Sequence, residues 1–197
     1  MARHPKKLGT PVTLADALAV SDERAVELVD GELVEKAAPS FEHGEAQAQV
    51  AGQLTNRFGG PPRGGAGGWW IGTEVDVQYA DQLFRHDVVG WRRDRAAARP
   101  TGRPVEMRPD WVCEVLSPSN AATDSVRKLR TLHGHGVPHY WLVDPDRKTL
   151  TVLRWQDEGY LTLLTAEAGE VVRAEPFQSM ELRTGPIFGL DDEEVSS

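Results

Sequence analysis

Residues 109–145 read PDWVCEVLSPSNAATDSVRKLRTLHGHGVPHYWLVDP, and this stretch decides the fold. The apolar run at 110–116 predicts a strand, and the run at 140–144, which ends at an Asp-Pro pair, predicts a second strand. Between them, residues 123–133 are expected to form a helix that stops at Gly134. The stretch therefore predicts a strand, a helix and another strand in that order.

The sequence before and after this stretch predicts further strands and helices. In residues 27–36, Asp30-Gly31 separates two short apolar runs, a pattern typical of a tight hairpin. Ser40 is a candidate N-cap for a helix over about 41–58, which has a weak apolar stripe. The other predicted elements are a short helix at 13–19, strands at 69–79, 86–91, 149–155 and 160–165, and one or two strands within 171–188.

The order of these elements predicts a mixed central sheet flanked by helices, in an α/β or α+β domain with an added β-rich C-terminal part. A length of 197 residues suits one full domain and is too short for two large ones. We therefore expect a single domain over 12–190, preceded by a flexible N-terminus at 1–11. Residues 191–197 are expected to form a solvated acidic tail.

Composition and charge restrict the class of function. The formal net charge of −8 lacks the basic footprint of a tight, non-specific nucleic-acid binder. It is compatible with a cation-dependent site, because a bound metal inverts the local charge. Cys113 is the only cysteine, which favours a reducing compartment. No stretch approaches the roughly 20 apolar residues of a membrane span, so we expect a cytoplasmic protein.

Two acidic residues interrupt apolar strands, where a carboxylate is costly. HDVVGW at 86–91 contains Asp87, and WVCEVL at 111–116 contains Glu114. A carboxylate that is buried without a partner costs several kcal/mol or shifts its pKa. A divalent metal bound by both acids would compensate, since hard cations such as magnesium take oxygen ligands. A structural ion pair, or exposure at a sheet edge, is the alternative.

The neighbours of Glu114 suggest where a basic group could stand. Alternation along the strand places Asp110, Val112, Glu114 and Leu116 on one face, and Trp111, Cys113 and Val115 on the other. Leu116 can supply no charge beside Glu114. Lys128 follows on the next helix, where an ammonium could orient an attacking water or neutralise phosphate charge. A weak surface ion pair with Asp124 is the alternative for this lysine.

The sequence resembles the Uma-two family, which lies within the PD-(D/E)xK nuclease superfamily. The resemblance covers roughly residues 12–165, and its specific part is the long run at 109–145. It implies a restriction-endonuclease-like fold and an endonuclease that depends on Mg²⁺ or Mn²⁺. The matching stretches are ELVDGELVE at 27–35, His43 in the first long helix, HDVVGW at 86–91, and 109–145.

The resemblance also implies roles for particular residues. Asp87 and Glu114 would be the metal ligands. The superfamily's usual lysine, two residues after the glutamate, is absent from this family, and a helix lysine is thought to replace it. Leu116 and Lys128 fit that pattern. The family usually has proline before the first acid, whereas this chain has His86.

Other polar residues are weaker candidates for the site. His43 could line it, or could be a hydrogen-bonded core histidine. Glu74 and Asp76 lie on the polar face of their predicted strand, and either could add a third carboxylate to the site or could face solvent. Glu27 and Glu32 flank the Asp-Gly turn, and we expect them to be ordinary hairpin acids.

Two functions of different classes follow from these patterns. The first is a metal-dependent endonuclease with one or two magnesium or manganese ions, acting on nucleic acid, DNA rather than RNA. The second is a catalytically silent interaction module with a nuclease fold, in which exposed arginines make the contacts. Those arginines are Arg92, Arg93, Arg95 and Arg99. Analogy with the fold suggests a homodimer that pairs through the β-rich C-terminal third.

Overall fold

The computed structural model describes residues 12–21, 23–60, 68–117 and 121–190, and for 121–125 it describes the backbone alone. The N-terminal segment at 1–11 and the acidic tail at 191–197 lie outside the described residues. In the described part, no helix is both long enough and apolar enough to cross a membrane.

The secondary structure follows the predicted order. Its elements are α1 (Leu14–Ser21), β1 (Val26–Val29), β2 (Glu32–Glu35), α2 (Phe41–Phe58), β3 (Trp69–Tyr79), β4 (Gln82–Arg92), β5 (Trp111–Val115), α3 (Ala121–Gly134), β6 (His139–Asp144), β7 (Thr149–Gln156), β8 (Gly159–Glu167), β9 (Val171–Val172), β10 (Leu182–Arg183) and α4 (Thr184–Ile187). The predicted hairpin is confirmed, since Asp30 and Gly31 have φ values of 51° and 76°, as a type I′ turn requires. β4 starts earlier than predicted because its first residues pair with the end of β3.

The described strands form one large mixed sheet and one small one. The large sheet has the order β2-β1-β4-β5-β6-β7-β8, and β3 pairs with β4 in addition. The β5–β6 pair is parallel, while the other pairs in this sheet are antiparallel. β9 and β10 form the separate two-stranded sheet. The predicted mixed sheet with flanking helices is confirmed.

Hydrophobic side chains form a core on each face of the sheet. Trp111, Cys113 and Val115 of β5 pack in the core that contains the apolar stripe of α2. Val112, whose side chain points to the opposite face of β5, packs in the second core with Leu132 of α3. The predicted alternation along β5 is therefore confirmed, and it leaves Glu114 on the face that α3 covers.

The alternation along β3 is broken, contrary to the regular pattern that the sequence suggests. Ile71 packs against the α2 core, whereas Val75 and Val77 belong to the α3 core. Between them, Glu74 has a φ of 52°, a conformation that L residues rarely adopt. The residues after Glu74 therefore point to the face opposite to the one that regular alternation predicts. Pairing continues on either side, so Glu74 lies opposite Asp87 at the interruption.

One edge of β4 is shared by two strands, and this arrangement makes room for a site. β3 pairs along the whole of β4. On the other edge, β1 pairs at Leu83 and β5 pairs at residues 88–90. Residues 84–87 of β4 lie between these two partners. The side chains around this gap come from β1, the end of β2, α2, β5 and α3.

Candidate functional site

A cavity of about 470 Å³ lies beside the gap between β1 and β5. The structure brings all five candidate residues to it. These are Asp87, Glu114, Lys128, His43 and Glu74. Lys36, which the sequence analysis did not consider, lines the same cavity.

Asp87 is buried and fully engaged by its neighbours. Its Oδ2 accepts a hydrogen bond of 2.7 Å from the backbone N–H of Val115, which fixes the end of β5 to β4. Its Oδ1 lies 2.5 Å from Lys36 Nζ and 3.5 Å from His43 Nε2. Burial raises the pKa of Asp87, but the hydrogen bond from His43 and the charge of Lys36 outweigh burial and lower the pKa below its ordinary value. The carboxyl group is therefore ionised at neutral pH.

Glu114 is buried on the α3 side of the sheet. Its Oε1 lies 2.5 Å from His86 Nδ1, and its Oε2 accepts a hydrogen bond of 3.3 Å from Lys128 Nζ. Burial and the charge of Asp87 raise the pKa of Glu114. The charge of Lys128 and the hydrogen bond from His86 outweigh them, so the pKa is lowered. Two ionised carboxylates thus line one cavity.

His86 has a structural role that the sequence analysis did not find. Because β4 begins at Gln82, this residue lies inside the strand and is fully buried. Its Nδ1 contacts Glu114, and its Nε2 lies 2.8 Å from the hydroxyl of Tyr79. Burial, with the charge of Glu114, raises the pKa of Tyr79 well above its ordinary value, so the phenol keeps its proton. The chain from Tyr79 through His86 holds Oε1 of Glu114 in place.

Glu27 contacts Lys128 from behind the cavity, and the expectation that it is an ordinary hairpin acid is wrong. It is 1% exposed, and its Oε1 lies 2.8 Å from Lys128 Nζ. The same oxygen accepts a hydrogen bond of 3.0 Å from the backbone N–H of Arg85. Burial raises the pKa of Glu27, although the charge of Lys128 opposes the rise. Its place in the apolar run VELV carried the same signal that identified Asp87 and Glu114.

Lys128 is buried between two carboxylates, those of Glu27 and Glu114. The alternative expectation, a surface pair with Asp124, concerns a side chain outside the described residues. The observed ion pairs instead join α3 to β1 and to β5.

Lys36 joins the other two acids at the cavity. Its Nζ lies 2.5 Å from Asp87 Oδ1 and 3.9 Å from Glu74 Oε2, and it donates a hydrogen bond of 3.0 Å to the backbone O of Arg85. Gln47 donates hydrogen bonds of 3.0 Å to Glu74 Oε1 and to the backbone O of Asp87. Glu74 is half exposed.

Asp76 does not reach the site, although the sequence analysis weighed it together with Glu74. Its carboxylate is buried and pairs with Arg85 at 2.7 Å and Arg103 at 2.8 Å. The positive φ of Glu74 separates the two acids, because it sends the neighbouring residues of β3 to different faces.

The charges at the cavity alternate in two triads of acid, lysine and acid. One is Glu74, Lys36 and Asp87, and the other is Glu27, Lys128 and Glu114. In the described ranges, no three acidic, histidine or cysteine side chains stand close enough to form a ready-made metal cluster. Asp87 and Glu114 nevertheless fit magnesium or manganese chemically, since both supply ionised carboxylate oxygens.

The arginines of the alternative hypothesis have partners within the protein. Arg93 stacks on the ring of Trp70, with 3.4 Å between its guanidinium carbon and the ring centroid. Arg95 pairs with Asp110 at 2.6 Å, and Arg92 pairs with a neighbouring aspartate. Three of the four arginines therefore contact other residues of the chain, and Arg92, Arg95 and Arg99 remain exposed.

Comparison with known proteins agrees with this architecture. A crystal structure described as "a putative nuclease belonging to DUF820 from Anabaena variabilis ATCC 29413" superposes with a TM-score of 0.71, covering 91% of this chain and 98% of that chain. The two sequences are 24% identical, so the likeness shows the fold. A comparison with curated proteins found no match. The family model Uma2, described as "Putative restriction endonuclease", matches residues 14–185. Because that match spans most of the 197 residues, the chain belongs to the Uma2 family, as its sequence resemblance predicted.

Proposed function

We propose that this Uma2 protein is a metal-dependent endonuclease that hydrolyses phosphodiester bonds in nucleic acid, in DNA rather than RNA. The observation that carries the proposal is the cavity where Asp87 and Glu114, ionised on adjacent strands, lie beside two lysines. Family membership supports the same reaction class. The acids supply hard oxygen ligands, and the lysines supply positive charge for a phosphate.

Asp87 and Glu114 would hold one or two magnesium or manganese ions. A divalent cation bound there would supply Lewis-acid polarisation of a phosphoryl oxygen and would offset the charge that develops on it. Asp87 Oδ2 accepts from the backbone N–H of Val115, so a cation would bind Oδ1, the oxygen that Lys36 contacts. His86 fixes the orientation of the Glu114 carboxylate from the buried side.

Lys128 would stabilise the charge of the attacked phosphate and orient the incoming water. Its ammonium lies between Glu27 and Glu114, which restrains it at the cavity. Hydrolysis places the oxygen of water on phosphorus and releases the opposite ester oxygen. The positive charge near the equatorial oxygens lowers the barrier to this displacement.

His43 and Glu74 would be accessory residues. His43 Nε2 faces Asp87 Oδ1, and its other ring nitrogen is buried without a hydrogen-bond partner among the described residues. Glu74 is exposed enough to meet substrate or to bind a second cation. Gln47 holds Glu74 next to Asp87 by bonding to both residues.

The charge of the whole chain bears on the substrate and its delivery. A net charge of −8 predicts weak intrinsic affinity for DNA, or a partner that brings the substrate. A homodimer through the C-terminal strands would allow cleavage of both strands, and we include it in the proposal by analogy with the fold. The buried single Cys113 is consistent with the proposed cytoplasmic location.

The test is a nicking assay on supercoiled plasmid in EDTA and in each of Mg²⁺ and Mn²⁺. Asp87→Asn and Glu114→Gln should each abolish nicking while thermal melting remains cooperative. Asp146→Asn, an exposed acid in the turn after β6, is the matched control and should keep wild-type activity. Nicking that survives in both site variants would overturn the proposal.

A catalytically silent module is the second candidate, and one observation favours it. Lys36 and Lys128 already compensate Asp87 and Glu114, so the folded state does not require a metal. Under this reading the wild type shows no cleavage with either metal, while Asp87→Asn leaves binding to nucleic acid or to a partner unchanged. The same plasmid assay, run beside a binding assay, separates the two candidates.

A further inference from the structure

The Lys36 ammonium occupies a position lined by oxygen atoms. Its neighbours are Oδ1 of Asp87 at 2.5 Å, the backbone O of Arg85 at 3.0 Å and Oε2 of Glu74 at 3.9 Å. Two carboxylates and a backbone carbonyl are the donor types that hard divalent cations take. The ammonium therefore stands where a metal ion at Asp87 would find its oxygen ligands.

We propose that Lys36 is an internal substitute for the divalent cation and that metal loading at Asp87 requires its ammonium to leave. This inference rests on the proposed metal site and names how that site is regulated. The ammonium, 2.5 Å from Asp87 Oδ1, fills the space between this oxygen, Glu74 and the backbone O of Arg85 that a cation bound to the same oxygens would take. Two positive charges in one pocket also repel each other, so metal and Lys36 compete for Asp87 Oδ1.

Lys36, rather than Lys128, is the lysine that moves. The Lys36 side chain is 20% exposed, whereas that of Lys128 is 6% exposed and lies between two buried acids. Lys36 directly follows the end of β2 at Glu35, and it lines the cavity together with Ala37 and Ala38. Its flexible four-carbon stem lets the ammonium leave both Asp87 and the backbone O of Arg85, and the cation would then take the place of the ammonium between these oxygens.

Once displaced, the Lys36 ammonium would lie at the mouth of the cavity, where it could bind a substrate phosphate. A lysine side chain that turns toward solvent carries its ordinary positive charge at neutral pH. A substrate phosphate that approaches the bound metal would meet this positive charge. Cation binding would thus convert Lys36 from a partner of Asp87 into a phosphate-binding residue.

The first experiment measures Mn²⁺ binding to the EDTA-stripped full chain by electron paramagnetic resonance, without nucleic acid. Lys36→Gln removes the competitor. If the wild type has Lys36 displaced in about a tenth of molecules or fewer, the variant should bind Mn²⁺ roughly 10-fold more tightly or better. Lys148→Gln, at an exposed lysine between β6 and β7, should bind as the wild type does. Equal affinity in the wild type and Lys36→Gln would overturn the proposal.

The second measurement uses the wild-type protein and so does not depend on how the variant folds. An amine-reactive ester labels exposed lysines, and peptide mass spectrometry gives the rate at each one. Mn²⁺ should increase the rate at Lys36 several-fold and leave the rate at Lys148 unchanged. An unchanged rate at Lys36 under saturating Mn²⁺, or no Mn²⁺ binding to either protein, would overturn the proposal.

The two proposals fail in different ways. Tighter Mn²⁺ binding by Lys36→Gln, with no plasmid nicking by the wild type, would support the competition and contradict the nuclease. Metal-dependent nicking by the wild type, with equal Mn²⁺ affinities, would support the nuclease and contradict the competition.

Discussion

Replacement of Lys128 by methionine should destabilise the fold strongly, whatever reaction the site performs. The ammonium lies 2.8 Å from Glu27 and 3.3 Å from Glu114, and both acids are buried. Removal of one member of a buried ion pair typically costs about 3–5 kcal/mol, because the remaining charge has no compensation. For a chain of this length, each kcal/mol shifts Tm by about 2–4 °C, so the expected fall is roughly 6–20 °C.

The unfolding free energy that Lys128→Met loses relative to the wild type should also depend on pH. Burial raises the pKa of Glu27 above its ordinary value, and loss of Lys128 raises it further. An acid whose folded pKa exceeds its unfolded pKa binds more protons in the folded state, so the unfolding free energy rises as pH falls. The difference from wild type should therefore be larger at pH 7 than at pH 5.

Urea denaturation at both pH values measures this prediction. Lys148→Met is the control, because that lysine is exposed, and it should change the unfolding free energy little. The double variant Glu27→Gln with Lys128→Met should recover part of the loss, since one uncompensated charge is then gone. A loss below about 1 kcal/mol for Lys128→Met would refute the reasoning, because an exposed ion pair contributes no more than that.

Two further predictions concern the groups around the site. Tyr79→Phe removes the buried hydroxyl that lies 2.8 Å from His86 Nε2, and it should cost about 1–3 kcal/mol in urea denaturation; an unchanged unfolding free energy would contradict the proposed support of Glu114. The pKa values of Asp76 and Asp87 lie below their ordinary value of 3.8, so the unfolded state binds more protons near that pH. Stability should thus be retained above pH 5 and lost as pH falls from about 4 toward 2, and a flat profile over that range would count against both ion pairs.

Asp87 and Glu114, which the sequence predicts to share one site, line the same cavity and lie on regular strands. β5 alternates without interruption, so the pattern of its side chains placed Glu114 on the face that α3 covers. Asp87 was identified by the cost of an acid within an apolar run. Both inferences use information within a few residues, which a single sequence contains.

The sequence did not predict the positions of Glu27 and Lys36 near Asp87 and Glu114, and the physical reason differs between the two. Glu27 lies in an apolar run, but the adjacent Asp-Gly turn offered a sufficient explanation for an acid there. The contact between Lys36 and Asp87 joins residues 51 positions apart, and it depends on how the hairpin docks against β4. The register between distant strands leaves no local pattern in the sequence.

The interruption of β3 was also invisible in the sequence. Ile71, Val75 and Val77 have the spacing of a single face, yet the structure divides them between two cores. The cause is the positive φ of Glu74, a residue without the signature that glycine or asparagine would give. An interruption at a glutamate is visible only once the strands are paired.

The two side chains that reach Arg85 also complete the sheet. On the edge of β4 between β1 and β5, where no strand pairs with Arg85, Glu27 accepts from its backbone N–H and Lys36 donates to its backbone O. Functional residues commonly reduce the stability of a fold, whereas these two replace missing backbone hydrogen bonds. A relative without the proposed catalysis would therefore still need Glu27 and Lys36 for its sheet. Glu27 and Lys36 in a related sequence would therefore indicate that its sheet is intact. Whether the proposed chemistry is retained would be judged better from the residues that stand at the positions of Asp87 and Glu114.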